Sequence, residues 1–118
     1  MTSPTQRSLK LLRDRGMFAY VVEKWVPQAR KRIDVAGFGD LLAWSAASGC
    51  VLIQTTTGSH VAARTRKILE DCREPALAWI ASGGRIVVHG WRKIRRKWEC
   101  REVWITGPDF DEEDNDEQ

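Results

Sequence analysis

The chain has 118 residues, of which 42% are hydrophobic and 30% charged, proportions typical of one globular domain rather than of a disordered chain. Its apolar runs are only a few residues long and its N-terminus has no apolar signal core, so we expect no membrane span and a cytoplasmic location. Cys50, Cys72 and Cys100 are far apart and form no CxxC pair, which argues against a disulfide framework and for buried free thiols.

Charge is divided unevenly along the chain. Residues 109–118, DFDEEDNDEQ, hold seven of the 16 acidic residues and no basic residue. The first 108 residues therefore carry 19 Lys and Arg against the remaining nine acids, a net charge of +10. We predict one domain over residues 1–108, followed by an acidic, disordered tail over residues 109–118. A small body this basic favours a polyanionic partner.

The predicted elements alternate between helices and strands. A first helix is expected over residues 5–15, with Pro4 in its first turn and Gly16 after its end. The elements that follow are predicted as a strand over 17–25, a basic loop or short extended piece over 28–34, strands over 41–44 and 50–56, helices over 60–73 and 75–82, and strands over 85–91 and 98–106. Trp44 and Trp79 are predicted to lie in the core. This order predicts a mixed α/β fold with a central sheet flanked by helices.

The stretch GDLLAWSAASGCVLIQTT, residues 39–56, places polar residues at neighbouring strand ends. Asp40 begins one predicted strand, and Gln54 and Thr56 end the next, after the apolar residues 51–53. Residues i and i+2 of a strand share a face, so Gln54 and Thr56 point the same way. Oxygen ligands such as these suit Mg²⁺ or Mn²⁺. Asp40 as a simple turn residue, and Gln54 as a hydrogen-bonded polar residue in a buried strand, are the alternatives.

The spacing GD(x)13QxT, together with the order of elements, resembles the PD-(D/E)XK nuclease superfamily. Its phage and archaeal Holliday-junction-resolvase-like and VRR-NUC-like branches are the most similar. The resemblance covers residues 5–91 and implies a restriction-endonuclease-like αβββαβ core. It implies a magnesium-dependent endonuclease that hydrolyses phosphodiester bonds in branched or structured DNA, acts as a homodimer, and belongs to a phage or mobile element, which would place it in the host cytoplasm.

Carried over residue by residue, the resemblance assigns a metal site and a catalytic set. Asp40, Gln54 and the backbone carbonyl of Thr55 would hold the metal, assisted by Glu23 or Asp34. Gln6 stands where resolvase-like members carry a further acid. Thr56 stands where the family carries a lysine, so a cation would have to come from Lys67 or Arg64. The implied catalytic residues are Asp40, Gln54, Thr56 and Lys67.

Basic residues form the predicted nucleic-acid-binding surface. They occupy two runs and one stripe of the second helix, and they are Arg30, Lys31, Arg32, His60, Arg64, Lys67, Arg92, Lys93, Arg95, Arg96 and Lys97. Trp91 and Trp98 flank the second run, where aromatic rings among cations suit stacking on bases. Two other functions fit the same sequence. One is a non-catalytic nucleic-acid-binding protein that retains the fold, and the other is an adaptor that binds a protein through its tryptophans and acidic tail.

Overall fold

A computed structural model describes residues 2–111 of the chain. Its elements, in chain order, are α1 (Pro4–Asp14), β1 (Phe18–Val21), β2 (Lys24–Val26), β3 (Lys31–Ile33), β4 (Leu41–Ser45), β5 (Gly49–Thr57), α2 (Val61–Glu70), α3 (Arg73–Ala81), β6 (Arg85–Ile94) and β7 (Lys97–Ile105). Short 3-10 helices cover Gly58–His60 and Gly107–Asp111. Within the described residues, every helix falls short of the length and hydrophobicity needed to cross a bilayer.

Five strands form one mixed sheet in the order β1-β4-β5-β6-β7. β1, β4 and β5 are mutually antiparallel neighbours, β6 runs parallel to β5, and β7 returns antiparallel to β6. The run Val51–Thr56 of β5 is buried throughout, as expected for a central strand covered on both faces. The predicted mixed α/β fold with a central sheet and flanking helices is confirmed.

The two faces of the sheet carry separate hydrophobic clusters. On one face, Leu12 of α1 packs with Leu41 and Val87. On the other face, Ile68 of α2 and Ala76 of α3 pack against residues such as Leu52, Ile86 and Val88. The domain is therefore a three-layer sandwich, with α1 on one side and α2 and α3 on the other.

Several predicted boundaries were wrong. The strand predicted over residues 17–25 is two strands in different sheets, because the chain turns at Val22 and Glu23, whose N–H groups both point to the carbonyl of Asp40 at 3.0 and 3.4 Å. β2 and β3 pair with each other as a separate hairpin. The basic run at residues 92–97, which falls between the strands predicted over 85–91 and 98–106, lies mostly within β6 and β7, and only Arg95 and Arg96 form the turn.

The predicted tail also begins too early. Residues 107–111 form a 3-10 helix in which Phe110 is buried, and Arg73 Nη1 donates to the Phe110 carbonyl at 2.8 Å. The folded domain thus extends to Asp111, and the disorder predicted for residues 112–118 lies outside the described residues.

Two side-chain predictions need correction. Trp44 is not in the core, because its ring is exposed and stacks with Phe18 and Tyr20 at centroid distances of 5.9 and 5.5 Å. Trp79 is half-buried and packs against the hydrophobic cluster that contains Ile68 and Ala76, which we name the α2–α3 cluster. All three cysteines are free, and Cys72 is buried whereas Cys50 is exposed.

Candidate functional site

Asp40 is held at the start of β4 by backbone hydrogen bonds, and the hydrogen bonds to its side chain all reach the same carboxylate oxygen. Its N–H donates to Ile53 at 2.9 Å, which sets it opposite Gln54 across the β4–β5 pair. Asp40 Oδ2 accepts from Gln54 Nε2 at 2.9 Å, from the Thr55 N–H at 2.8 Å and from Thr55 Oγ1 at 3.1 Å. Because the Thr55 hydroxyl proton is used there, Thr5 Oγ1 at 2.8 Å is the donor to Thr55 Oγ1. Among the described residues no hydrogen bond reaches Oδ1, which leaves that oxygen for a ligand.

The side-chain amide of Gln54 forms hydrogen bonds through its nitrogen, whereas its oxygen has no partner among the described residues. Nε2 donates to Asp40, and lies 3.4 Å from the Thr55 carbonyl. Oε1 is buried and has no hydrogen-bond partner among residues 2–111. An unpaired buried acceptor costs about 1 to 3 kcal/mol. The described chain therefore supplies no partner for Gln54 Oε1, and this carbonyl oxygen is a candidate ligand.

Three carboxylates converge beside this amide. One oxygen from each of Glu23, Asp34 and Asp40 lies within 4.8 Å of the others. Glu23 and Asp34 flank the β2–β3 hairpin, which brings them back to the start of β4. Asp34 Oδ1 is buried without a partner in the described chain, while Glu23 Oε1 lies 3.3 Å from Arg32 Nη1. We name Glu23, Asp34, Asp40 and Gln54 the acidic cluster.

The pKa of Asp40 is raised to about 7. Burial is the largest cause because it disfavours the charged form, and the charges of Asp34 and Glu23 add to it. Hydrogen bonds from Thr55 oppose the rise in pKa. The carboxylate is thus held in a place where a neighbouring cation would favour its ionisation.

The acidic cluster opens into a cleft of about 610 Å³. The cleft lies where the N-termini of α1 and α2 meet the ends of β1 and β5, and its lining includes Gln6, Arg32, Thr55, Thr56, His60 and Arg64. Thr56 and Gln6 therefore lie where the sequence placed them. Lys67 is not part of this lining, and Arg64, one turn earlier on α2, is the side chain that faces the cleft.

The predicted basic residues lie on three elements, and Arg32, His60 and Arg64 line the cleft itself. Arg30, Lys31 and Arg32 belong to the β2–β3 hairpin, and His60 and Arg64 lie at the start of α2. Five more lie on the β6–β7 hairpin, and they are Arg92, Lys93, Arg95, Arg96 and Lys97, while Lys67 lies further along α2 and outside the cleft lining. The C-terminal end of β6 is also the cleft end of the sheet, since β6 runs parallel to β5. The β6–β7 hairpin and the start of α2 therefore emerge from the same end of the main sheet as the cleft.

A buried network behind the cleft was not anticipated from the sequence. Ser8 of α1 is fully buried, and its Oγ lies 2.8 Å from His89 Nδ1 and accepts from Trp91 Nε1 at 2.8 Å. His89 Nε2 lies 3.4 Å from Glu102 Oε1, which in turn pairs with Arg15 at 2.8 Å. His89 is fully buried, which fits a structural role. The one feature of the sequence that could have indicated this network is a serine, Ser8, on the apolar side of α1.

Comparison with protein-family models, curated proteins and solved structures found no match.

Proposed function

We propose that the domain is a metal-dependent nuclease that cleaves phosphodiester bonds in DNA. The observation that carries the proposal is the acidic cluster, in which three carboxylate oxygens lie within 4.8 Å of one another beside the unpaired Gln54 Oε1. A donor set made only of oxygen suits Mg²⁺ or Mn²⁺. An unpaired buried amide oxygen is a costly feature that a bound cation would compensate.

The connections of the main sheet support the same proposal. α1, the antiparallel strands β1, β4 and β5, helix α2 and the parallel strand β6 occur in the αβββαβ order of the resembled nucleases, with β2, β3 and the additional helix α3 between them. The β2–β3 hairpin is then an insertion in that core. It supplies Glu23 and Asp34, which offset the replacement of the family's acidic ligand by Gln54.

In this proposal each cleft residue has a distinct task. Asp40, Gln54 and one or both of Glu23 and Asp34 would hold the cation, which would supply an activated water and neutralise charge on the phosphate. Thr55 and Thr5 fix the carboxylate of Asp40 through hydrogen bonds. Arg64 faces the cleft and would stabilise charge on the phosphate, a task that the uncharged Thr56 cannot perform.

The test uses supercoiled plasmid and a four-way junction with Mg²⁺, Mn²⁺ or chelator. We expect metal-dependent nicking or junction cleavage by the parent protein and its loss in Asp40→Asn, which keeps the size of the side chain. Asp71→Asn, a change of equal charge at the end of α2, is the matched control and should cleave normally. Calorimetric titration with Mn²⁺ measures metal affinity independently of cleavage. Equal Mn²⁺ affinity in the parent and in Asp40→Asn would refute the proposed metal site.

A binding-only domain is the second candidate, and Thr56 is the observation that favours it. No lysine lines the cleft as described, so charge stabilisation depends on arginine. Salt-sensitive DNA binding without cleavage under either metal would identify this candidate. We further propose a homodimer, because cutting both strands of a duplex needs two sites, and sedimentation equilibrium measures its mass directly.

A further inference from the structure

The last part of the β6–β7 hairpin projects beyond the rest of the sheet. Thr57, the final residue of β5, pairs with Trp91, so Arg92–Ile94 and Lys97–Glu99 pair only with each other. We name residues 92–99 the β6–β7 arm. At about 3.3 Å per residue, its tip at Arg95 stands about 13 Å past the level of Trp91. Within the described residues, no third strand pairs with the arm.

The base of the arm is packed tightly against the start of α2. A Cβ placed on Gly58 would lie 3.2 Å from Arg92 Cβ, and one placed on Gly90 would lie 2.1 Å from Val61 Cγ2. Only glycine permits these approaches without a shift. The arm is therefore fixed in direction relative to α2, which carries His60 and Arg64 into the cleft.

The side chains of the arm are strongly basic. Residues 92–99, RKIRRKWE, contain five basic residues and one acid, Glu99. Arg92, Lys93, Arg95, Arg96 and Lys97 are all exposed, and none forms an ion pair within residues 2–111. Arg7 of α1 adds another cation, because its guanidinium carbon lies 3.9 Å from the ring centroid of Trp98.

The turn at the tip is formed by two residues that disfavour its backbone conformation. Arg95 and Arg96 have φ angles of 49° and 68°, the left-handed conformation that a two-residue hairpin turn of this type requires. Asn-Gly is strongly preferred there, and arginine has no short polar side chain to stabilise the conformation. Two arginines in this place weaken the turn and put two guanidinium groups at the tip of the arm.

We propose that the β6–β7 arm enters the major groove of a B-form DNA duplex, with Arg95 and Arg96 reaching the base edges. This rests on the proposed function and names its substrate as double-stranded DNA. A major groove about 12 Å wide and about 8.5 Å deep accepts a two-stranded ribbon without deformation, whereas a minor groove about 6 Å wide must be widened at an energetic cost to take one. The deep, narrow major groove of A-form RNA excludes the arm.

The docking would also bring the duplex to the acidic cluster. The arm and the cleft lie at the same end of the sheet. Gly58, just before α2, packs against Arg92 at the base of the arm. A duplex held by the arm would therefore present its sugar-phosphate backbone to His60 and Arg64. Because guanine N7 and O6 are the preferred partners of arginine in the major groove, guanine is the expected base at the tip.

The test compares the parent with the double variant Arg95→Asn/Arg96→Gly. Because Asn-Gly is the preferred pair in this type of turn, we expect the variant to fold. Binding to a fluorescent DNA duplex is measured in chelator at fixed salt, so that no cleavage occurs. We expect Kd to rise about tenfold or more, because the variant lacks two arginine contacts to base edges. Arg66→Gln/Arg85→Gln removes two exposed cations from α2 and the far end of β6, and should change Kd less than about threefold. Equal Kd in parent and turn variant would overturn the role of the arm.

Methylation by dimethyl sulfate identifies the groove, because it modifies guanine N7 in the major groove and adenine N3 in the minor groove. We expect the parent to protect guanine N7, and the turn variant to lose that protection. Protection of adenine N3 alone, or equal affinity for duplex RNA of the same sequence, would overturn the major-groove proposal. So would absence of duplex binding by the parent.

These measurements distinguish the proposed role of the arm in DNA binding from the proposed nuclease activity. Duplex binding with N7 protection and no cleavage under any metal supports the arm and refutes the proposed hydrolysis. Metal-dependent cleavage that is unchanged in the turn variant, with unchanged Kd, supports hydrolysis and refutes the arm.

Discussion

At the residue scale, the cleft brings together groups that are far apart in the chain. Asp40 and Gln54 are recognisable from the sequence because each is a polar residue next to an apolar strand. Glu23 and Asp34 are harder to place, since their position depends on the turn at Val22 and on the path of the β2–β3 hairpin. That path is set by tertiary hydrogen bonds to the Asp40 carbonyl, which no local pattern encodes.

The source of positive charge in the cleft is testable at this scale. If Arg64 stabilises the phosphate, Arg64→Gln should lower the rate of metal-dependent cleavage by about 100-fold with little change in folding, because it is exposed. Adding Thr56→Lys should restore part of the rate, since the lysine would enter the same cleft from β5. Single-turnover cleavage measures both effects.

Lys67→Gln is the control for this pair. Lys67 lies outside the cleft lining, so its replacement should leave single-turnover cleavage within about twofold of the parent. A large loss with Lys67→Gln and none with Arg64→Gln would reverse the assignment and restore the role that the sequence suggested for Lys67.

At the element scale, Ser8 attaches α1 to β6. Ser8→Ala should reduce the free energy of unfolding by about 2 to 4 kcal/mol, because it leaves Trp91 Nε1 and His89 Nδ1 buried without a partner. Urea unfolding measures the loss. Ser59→Ala, an exposed serine before α2, should change the free energy by less than about 0.5 kcal/mol. Equal effects would show that the network adds nothing specific.

The β6–β7 turn offers a prediction in the opposite direction. Arg95→Asn/Arg96→Gly should raise the free energy of unfolding by about 1 kcal/mol, since the new pair adopts the left-handed conformation at lower cost. Urea unfolding of the same preparations used for DNA binding checks it. A variant that is more stable and yet binds DNA more weakly would show that the arginines are kept for binding rather than for folding. Lower stability would mean that the arginines support the turn.

Most helices and strands were predictable because their residue patterns are strong, and the errors have tertiary causes. The sequence from Met17 to Val26 is rich in β-forming residues throughout, so nothing local marks the break between β1 and β2. Trp44 follows the apolar pattern of β4, but the helices leave that part of the sheet uncovered. Phe110 lies among acidic residues, and only its contact with the α2–α3 cluster makes it part of the core.

At the scale of the whole molecule, two buried groups make opposite contributions to the pH dependence of stability. The pKa of Asp40 is raised to about 7, so between about pH 4 and 7 the folded state holds a proton that the unfolded state has lost. Its contribution therefore lowers stability as pH rises. The pKa of His89 is lowered to about 4, chiefly by burial, so between about pH 4 and 6.5 the unfolded state holds the extra proton. Its contribution raises stability as pH rises.

We therefore expect the metal-free protein to show a nearly flat stability between about pH 5 and 6.5, since each group contributes about 1.4 kcal/mol per pH unit with opposite sign. Asp40→Asn removes one of the two contributions, and its free energy of unfolding should then rise with pH by about 1.4 kcal/mol per unit in the same window. Urea unfolding in chelator at closely spaced pH values measures both slopes. Asp71→Asn should keep the flat profile, because it alters an exposed acid at the end of α2. An unchanged slope in Asp40→Asn would mean that Asp40 is ionised in the folded protein throughout this range, and that the acidic cluster bears its charge without a cation.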